Sequence, residues 1–200
     1  PRTFSSAASD VYKRQHDIGY SSKSLSGIQN GGNAFEIKIC NNTIFNCGGL
    51  AISATFKNSL ISSNHIWNVN RLKTDSAAIN AYNSGDLQNT IVSHNFVHNI
   101  QGKIDDIEHW GGYGIRLDSG GGKNGVSNCK IHNNVVFNTT TSSIGIWGVP
   151  ETGDNYENTL IHVFNNVVDG IILLAEAKKS FQGTKITNNV SVAINSVGYN

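Results

Sequence analysis

Apolar and polar residues alternate along this chain over short stretches of four or five positions, with no recurrence at the three-to-four spacing of an amphipathic helix. The clearest stretches are SGIQN, LAISA, AAINAY, YGIRLD, IGIWG and DGIIL. Alternation of that length predicts strands with one buried face. Between them lies a second set, IKICNNTIFN, LISSNHIWN, IVSHNFVHN, KIHNNVVFN, HVFNNVVDG and KITNNVSVA, in the frame apolar-x-x-Asn-x-apolar-x-Asn. The first framed asparagine falls at Asn42, Asn64, Asn95, Asn134, Asn166 and Asn189, so successive spacings are 22, 31, 39, 32 and 23 residues. A second follows four positions later at Asn46, Asn68, Asn99 and Asn138, and Asp17 in HDIG marks an earlier turn of the same pattern.

A repeat of about 22 residues that holds short strands and no helix suits a solenoid, in which each turn buries its apolar face by stacking on the next. The predicted fold is all-β: a right-handed parallel β-helix of about six coils, a fragment of a longer helix. Asparagine suits the bends because it tolerates left-handed backbone and bonds to neighbouring main chain. Stacked at strand spacing, its amides can also bond one another in a ladder. Residues 1–15, PRTFSSAASDVYKRQ, share no pattern with the rest and resemble translated adapter sequence. They are read as a leader foreign to the fold, and residues 16–200 as one β-helix domain truncated at both ends.

Residues 90–169 carry TIVSHNFVHN, GYGIRLDSGGGKNGVSNCKIHNNVVFN and IGIWGVPETGDNYENTLIHVFNNVV. These resemble the right-handed β-helix repeat proteins of the pectate-lyase-like superfamily, closest to secreted bacterial members in which a GIYLDxGSS segment precedes an HNNVVxN coil. Arg116 stands where an aromatic is usual, and the Gly-rich turn at 119–122 is longer. The resemblance implies a secreted, periplasmic or cell-surface protein with a polysaccharide as partner. The GHG and NTD signatures of polygalacturonases and the DPH signature of mannuronan epimerases are missing.

A net charge of +1 with 14% charged residues offers no field to nucleic acid or an anionic membrane. No apolar run approaches the roughly 20 residues of a bilayer span. Cys40, Cys47 and Cys129 show no metal-ligand spacing and read as small fillers of the interior. No cofactor is expected. The turn GGGKNG lacks the Asp of a calcium-binding nonapeptide, so only loop carboxylates are left to hold Ca2+. His65, His94, His132 and His162 share no single register, which argues against a metal array. His98 shares an outward column with His16, Phe45, Trp67 and Phe137 and reads as flat packing.

If Ile115 and Leu117 point inward, Arg116 and Asp118 point outward. Aligning the Gly-led strands sets Gln29, Ser53, Asn80, Trp147 and Ile172 in register with Arg116, and Thr55, Tyr82 and Val149 with Asp118. Asn80, Tyr82, Arg116, Asp118 and Trp147 then form one patch about three coils tall. Aromatic rings, planar amides and a guanidinium are what a saccharide groove uses. The longest insertion, residues 101–113 (QGKIDDIEHWGGY), brings Glu108, His109 and Trp110 beside it, and the loop at 149–158 brings Glu151. Two reactions fit that inventory. A glycoside hydrolase needs two carboxylates about 5 to 9.5 Å apart, for which Asp118 with Glu108 or Glu151 would serve. A polysaccharide lyase needs a uronate neutralised and a base, roles open to Arg116 and to His109 or His98. Trp110, Trp147, Asn80, Tyr82 and Glu151 would bind substrate. The alternative is a non-catalytic β-helix serving as adhesin, spike or carbohydrate-binding stalk.

Overall fold

A computed structural model describes residues 14–18, 26–29, 36–54, 57–72, 75–82, 87–102, 111–118, 126–148, 160–176 and 183–198. Among them all regular structure is strand, and the strands pair in parallel within stacked sheets. Sheet I stacks Arg14–His16, Thr43–Phe45, His65–Trp67, Phe96–Ile100, Val135–Thr139 and Val167–Val168. Sheet II stacks Lys38–Cys40, Leu60–Ser62, Ile91–Ser93, Lys130–His132, His162–Phe164 and Lys185–Thr187. Sheet III stacks Ile28–Gln29, Ile52–Ala54, Ser76–Tyr82, Gly111–Asp118, Ile144–Gly148, Ile171–Glu176 and Ala193–Gly198. A fourth, two-stranded sheet joins Leu87–Gln88 to Val126–Ser127. The chain visits sheets II, I and III in turn and begins again one level along, which makes it a parallel β-helix.

The bore is filled by one aliphatic column per sheet. Ile44, Ile66, Val97, Val136 and Val168 are in register in sheet I, and Ile39, Ile61, Val92, Ile131 and Val163 in sheet II. Ile52, Ile79, Ile115, Ile144 and Ile172 do the same in sheet III. All fifteen are buried. β-Branched side chains pack well on a pleated surface, and each full burial stabilises the fold by about 1.5 to 3 kcal/mol. Of the three cysteines, Cys47 and Cys129 lie inside and Cys40 is half-buried.

The corners are columns too. Between sheets II and I the chain turns in two residues. The first is left-handed, at Asn41, Ser63, His94, Asn133, Asn165 and Asn188. The second is the framed asparagine, whose side chain turns inward. Leaving sheet I, the left-handed position is Asp17, Asn46, Asn68, Asn99 and Asn138; entering sheet II it is Glu36, Asn58, Asn89, Asn128, Leu160 and Gly183. The first framed asparagine therefore does not itself make the left-handed bend. Its side chain is committed to the interior, so its predecessor makes the turn.

The interior asparagines form a continuous ladder. Nδ2 of each donates to Oδ1 of the next coil's asparagine at 2.9 to 3.0 Å, from Asn42 through Asn64, Asn95, Asn134 and Asn166 to Asn189. Each Oδ1 also accepts the backbone N–H of the asparagine one coil earlier. Nδ2 bonds carbonyls as well, as in Asn134 with Val92 and His132. A column of amides thus satisfies backbone groups that a two-residue corner would otherwise bury unpaired. A shorter relay on the surface links Asn128 to Asn89 and Asn89 to Asn58.

Candidate functional site

Sheet III carries the candidate site on its outer face. Arg116 is opposite Asn80, and Asp118 opposite Tyr82 and Trp147. Ser53 and Gln29 continue the Arg116 column as expected. Two placements differ. Trp147 belongs to the Asp118 column, and Gly145 stands opposite Arg116; Ile172 is a core residue stacked on Ile144. The inward isoleucines fix this register, since a one-residue slip would turn them all to the surface.

Gly145 shapes the face. A Cβ there would come within 3.0 Å of the Tyr113 ring and 3.2 Å of Trp147 Nε1. Its hydrogen atom lets both rings close over the strand. Tyr113 and Trp147 meet edge to face at 6.0 Å and form, with Ala77 and Leu173, a small apolar cluster separate from the bore. Gly114 turns inward where a Cβ would run into Val136 Cγ1, which breaks the alternation and points Tyr113 outward. The face is accordingly closed. Asn80, Arg116, Asp118 and Trp147 are all less than a tenth exposed, where an open groove was expected.

Under the rings, one guanidinium bridges two carboxylates. Arg116 Nη2 meets Asp118 Oδ2 at 2.7 Å, and Nη1 meets Asp75 Oδ1 at 2.5 Å. The Arg116 guanidinium also lies 5.8 Å from the Tyr113 ring centre. Burial works to lower the arginine pKa, but Asp118 and Asp75 outweigh it, and the group is held above its ordinary value and charged. Since both carboxylates touch the same planar group, their bonded oxygens lie within roughly 8 Å of each other, no farther apart than the upper limit glycosidases use. Arg116 Nε and Asn80 Oδ1 are buried with no hydrogen-bond partner among the described residues. Asp75 was not legible in the sequence as a site residue: it precedes the strand and reaches Arg116 along the sheet. Its side chain is two-thirds exposed. Glu108, His109, Trp110 and Glu151, with Thr55 and Val149, lie outside the described residues.

His98 is not part of this cluster. It lies on sheet I in a stack of near-parallel rings running His16, Phe45, Trp67, His98, Phe137, with centroids 4.5 to 5.9 Å apart. Trp67 and Phe45 are within 1° of parallel. The rings spend their faces on each other and present edges outward, so this wall is no platform for a sugar ring. Beside the stack, His65 Nε2 is 3.1 Å from His98 Nε2. Burial, with His98 nearby, holds His65 below the usual histidine range, and burial lowers His98 as well. The chain matches no family model, curated protein or solved structure. A cavity of about 330 Å³ between Gln15, Ile28, Gln29, Lys38 and Asn42 lies near the first described coils, well before Arg116 in the stack. Among the described residues no group of three or more His, Cys, Asp or Glu is arranged to hold a metal ion.

Proposed function

We propose that this β-helix is a carbohydrate-active protein, secreted or held at the cell surface, that hydrolyses a neutral polysaccharide at the outer face of sheet III. One observation carries the reading: Asp75 and Asp118 are gathered on a single guanidinium beside the Tyr113–Trp147 pair. A pair of carboxylates on one face is the minimum for glycoside hydrolysis. Arg116 positions both. Buried polar atoms left unbonded, Arg116 Nε and Asn80 Oδ1, are a poor feature in a purely structural staple and a common one where a site has work to do. The resemblance of residues 90–169 to pectate-lyase-like β-helices agrees with a polysaccharide substrate.

The lyase version is less well supported. It needs a guanidinium free to take a uronate carboxylate, and both terminal nitrogens of Arg116 already hold carboxylates. His98, one base considered for it, sits on another sheet. The test is a panel of neutral and uronate-rich polysaccharides, scored for new reducing ends and for unsaturated products. Asp118→Asn and Asp75→Asn should each lower turnover at least a hundredfold with the circular dichroism of the parent retained. Full activity in Asp118→Asn, or unsaturated products from the parent, would overturn the reading. The low exposure of Arg116 and Asp118 favours a second reading, a non-catalytic stalk in which the triad only ties coils together. On that reading no polymer is cut and the same substitutions lower stability alone.

A further inference from the structure

We propose that His65 and His98 form a surface site for a divalent transition cation that accepts tetragonal nitrogen and oxygen ligands, Cu2+ or Ni2+, independent of the sheet III face. The two histidines come from adjacent coils of sheet I but from neighbouring columns: His65 is opposite Phe96, and His98 opposite Trp67. A parallel sheet brings such diagonal neighbours within reach of long side chains, and here it sets Nε2 against Nε2 at 3.1 Å. Two imidazole nitrogens at that separation, each about 2.0 to 2.1 Å from one metal ion, subtend roughly 100° at the metal, close to the cis angle of a tetragonal site. In the metal-free pair one Nε2 carries the proton and the other is a bare acceptor, so one lone pair already points into the gap. Binding requires the protonated partner to change tautomer, its proton moving from Nε2 to Nδ1, so that both neutral imidazoles present a bare Nε2 and no net proton is released. Water completes the coordination shell.

The stack holds the ligands in place. His98 is clasped between Trp67 at 5.9 Å and Phe137 at 4.9 Å, both within 4° of parallel. His65 is wedged between Trp67 at 4.3 Å and Phe96 at 4.9 Å. Ligands fixed before the metal arrives lose little freedom on binding. Two protein ligands are too few for a closed structural zinc site, which takes four. Ca2+ and Mg2+ seek oxygen and find none offered by this pair.

Trp67 makes the site self-reporting, because a bound paramagnetic Cu2+ would quench its emission. Titrating the whole protein with Cu2+ should give saturable quenching at one equivalent. Ni2+ should compete for the site, and Ca2+ and Mg2+ should not. His65→Gln and His98→Gln should each weaken binding about tenfold or more, while His94→Gln, at the corner between sheets II and I, should leave it unchanged. Trp67→Phe should lose the quenching while calorimetry still registers Cu2+ binding. Quenching undiminished in both glutamine variants, or no saturable binding of either ion to the parent, would overturn the proposal. Should a glutamine variant unfold, His98→Phe, which keeps a ring between Trp67 and Phe137, gives the same comparison, and an unchanged affinity there counts against the site.

Discussion

Replacing Asn134 by leucine, a side chain of similar size with no polar atoms, tests whether the amide ladder holds the corners together. Asn134 is fully buried. Its Nδ2 bonds Val92 O, His132 O and Asn166 Oδ1, and its Oδ1 accepts from the backbone N–H and Nδ2 of Asn95. The His132 carbonyl keeps the His94 N–H. The Asn95 N–H keeps nothing among the described residues. One orphaned buried donor costs about 1 to 3 kcal/mol, and each of the other lost bonds about 0.5 to 1.5 kcal/mol before overlap between shared bonds is allowed for. The expected loss is about 3 to 5 kcal/mol. The control is Asn42→Leu near the other end of the ladder, where Nδ2 bonds to Cys40 O and Asn64 Oδ1 are lost. There no backbone N–H is known to be stranded, and the expected loss is about 1 kcal/mol. Urea unfolding followed by far-ultraviolet circular dichroism and by tryptophan emission measures both, and with m of about 2 to 3 kcal/mol/M the midpoints should fall by about 1.5 M and under 0.5 M. Equal shifts for the two variants, or a loss below about 1 kcal/mol at Asn134, would show that the ladder is a passenger and that aliphatic stacking alone sets the corners.

Leu160 occupies a left-handed position whose column is otherwise mostly asparagine and whose next member is Gly183. Leu160→Asn relieves that backbone and lengthens the Asn58–Asn89–Asn128 relay, so stability should rise by about 1 kcal/mol and the melting temperature by about 2 to 4 °C. Calorimetry decides it, and a lower melting point refutes it. Arg116→Met leaves Asp118 buried without its cation and should cost about 3 kcal/mol or more, whereas the double variant Arg116→Met with Asp118→Leu should recover most of that; a double-mutant cycle in urea measures the coupling. The His132 ring is held below the usual histidine range by burial, then by His94 and Lys130. Its folded pKa is depressed, so below about pH 6.5 the unfolded chain binds the proton more tightly and stability falls with pH. His132→Gln should flatten that fall below about pH 6.5, and an unchanged slope would remove His132 from it.

Much of the fold was legible because the repeat speaks through residues with a single physical job. Asn42, Asn64, Asn95, Asn134, Asn166 and Asn189 recur because a short planar amide both donates and accepts from coil to coil along that column. The His16–Phe45–Trp67–His98–Phe137 column could be read from the same frame. The outer face of sheet III was only partly legible. Aligning IGIWG on its glycine placed Trp147 beside Arg116 and Ile172 with it, but register answers to the inward aliphatics Ile115, Ile144 and Ile172. Asp75 and the His65–His98 pair were missed for a related reason. Both depend on side chains reaching along or diagonally across a sheet, and a comparison of positions in one column does not contain that information.

The unequal spacings between ladder asparagines have a further meaning. Sheets I and II are always joined by the same two-residue corner, so the additional residues of the longer turns must leave the path elsewhere, before or after sheet III. One edge of the prism is therefore invariant and acts as a spine, while excursions on the other side can grow, shrink or be exchanged without disturbing the stacking of the spine. Such a molecule can acquire a new specificity by swapping a single excursion, much as a tool takes a new bit while keeping its handle.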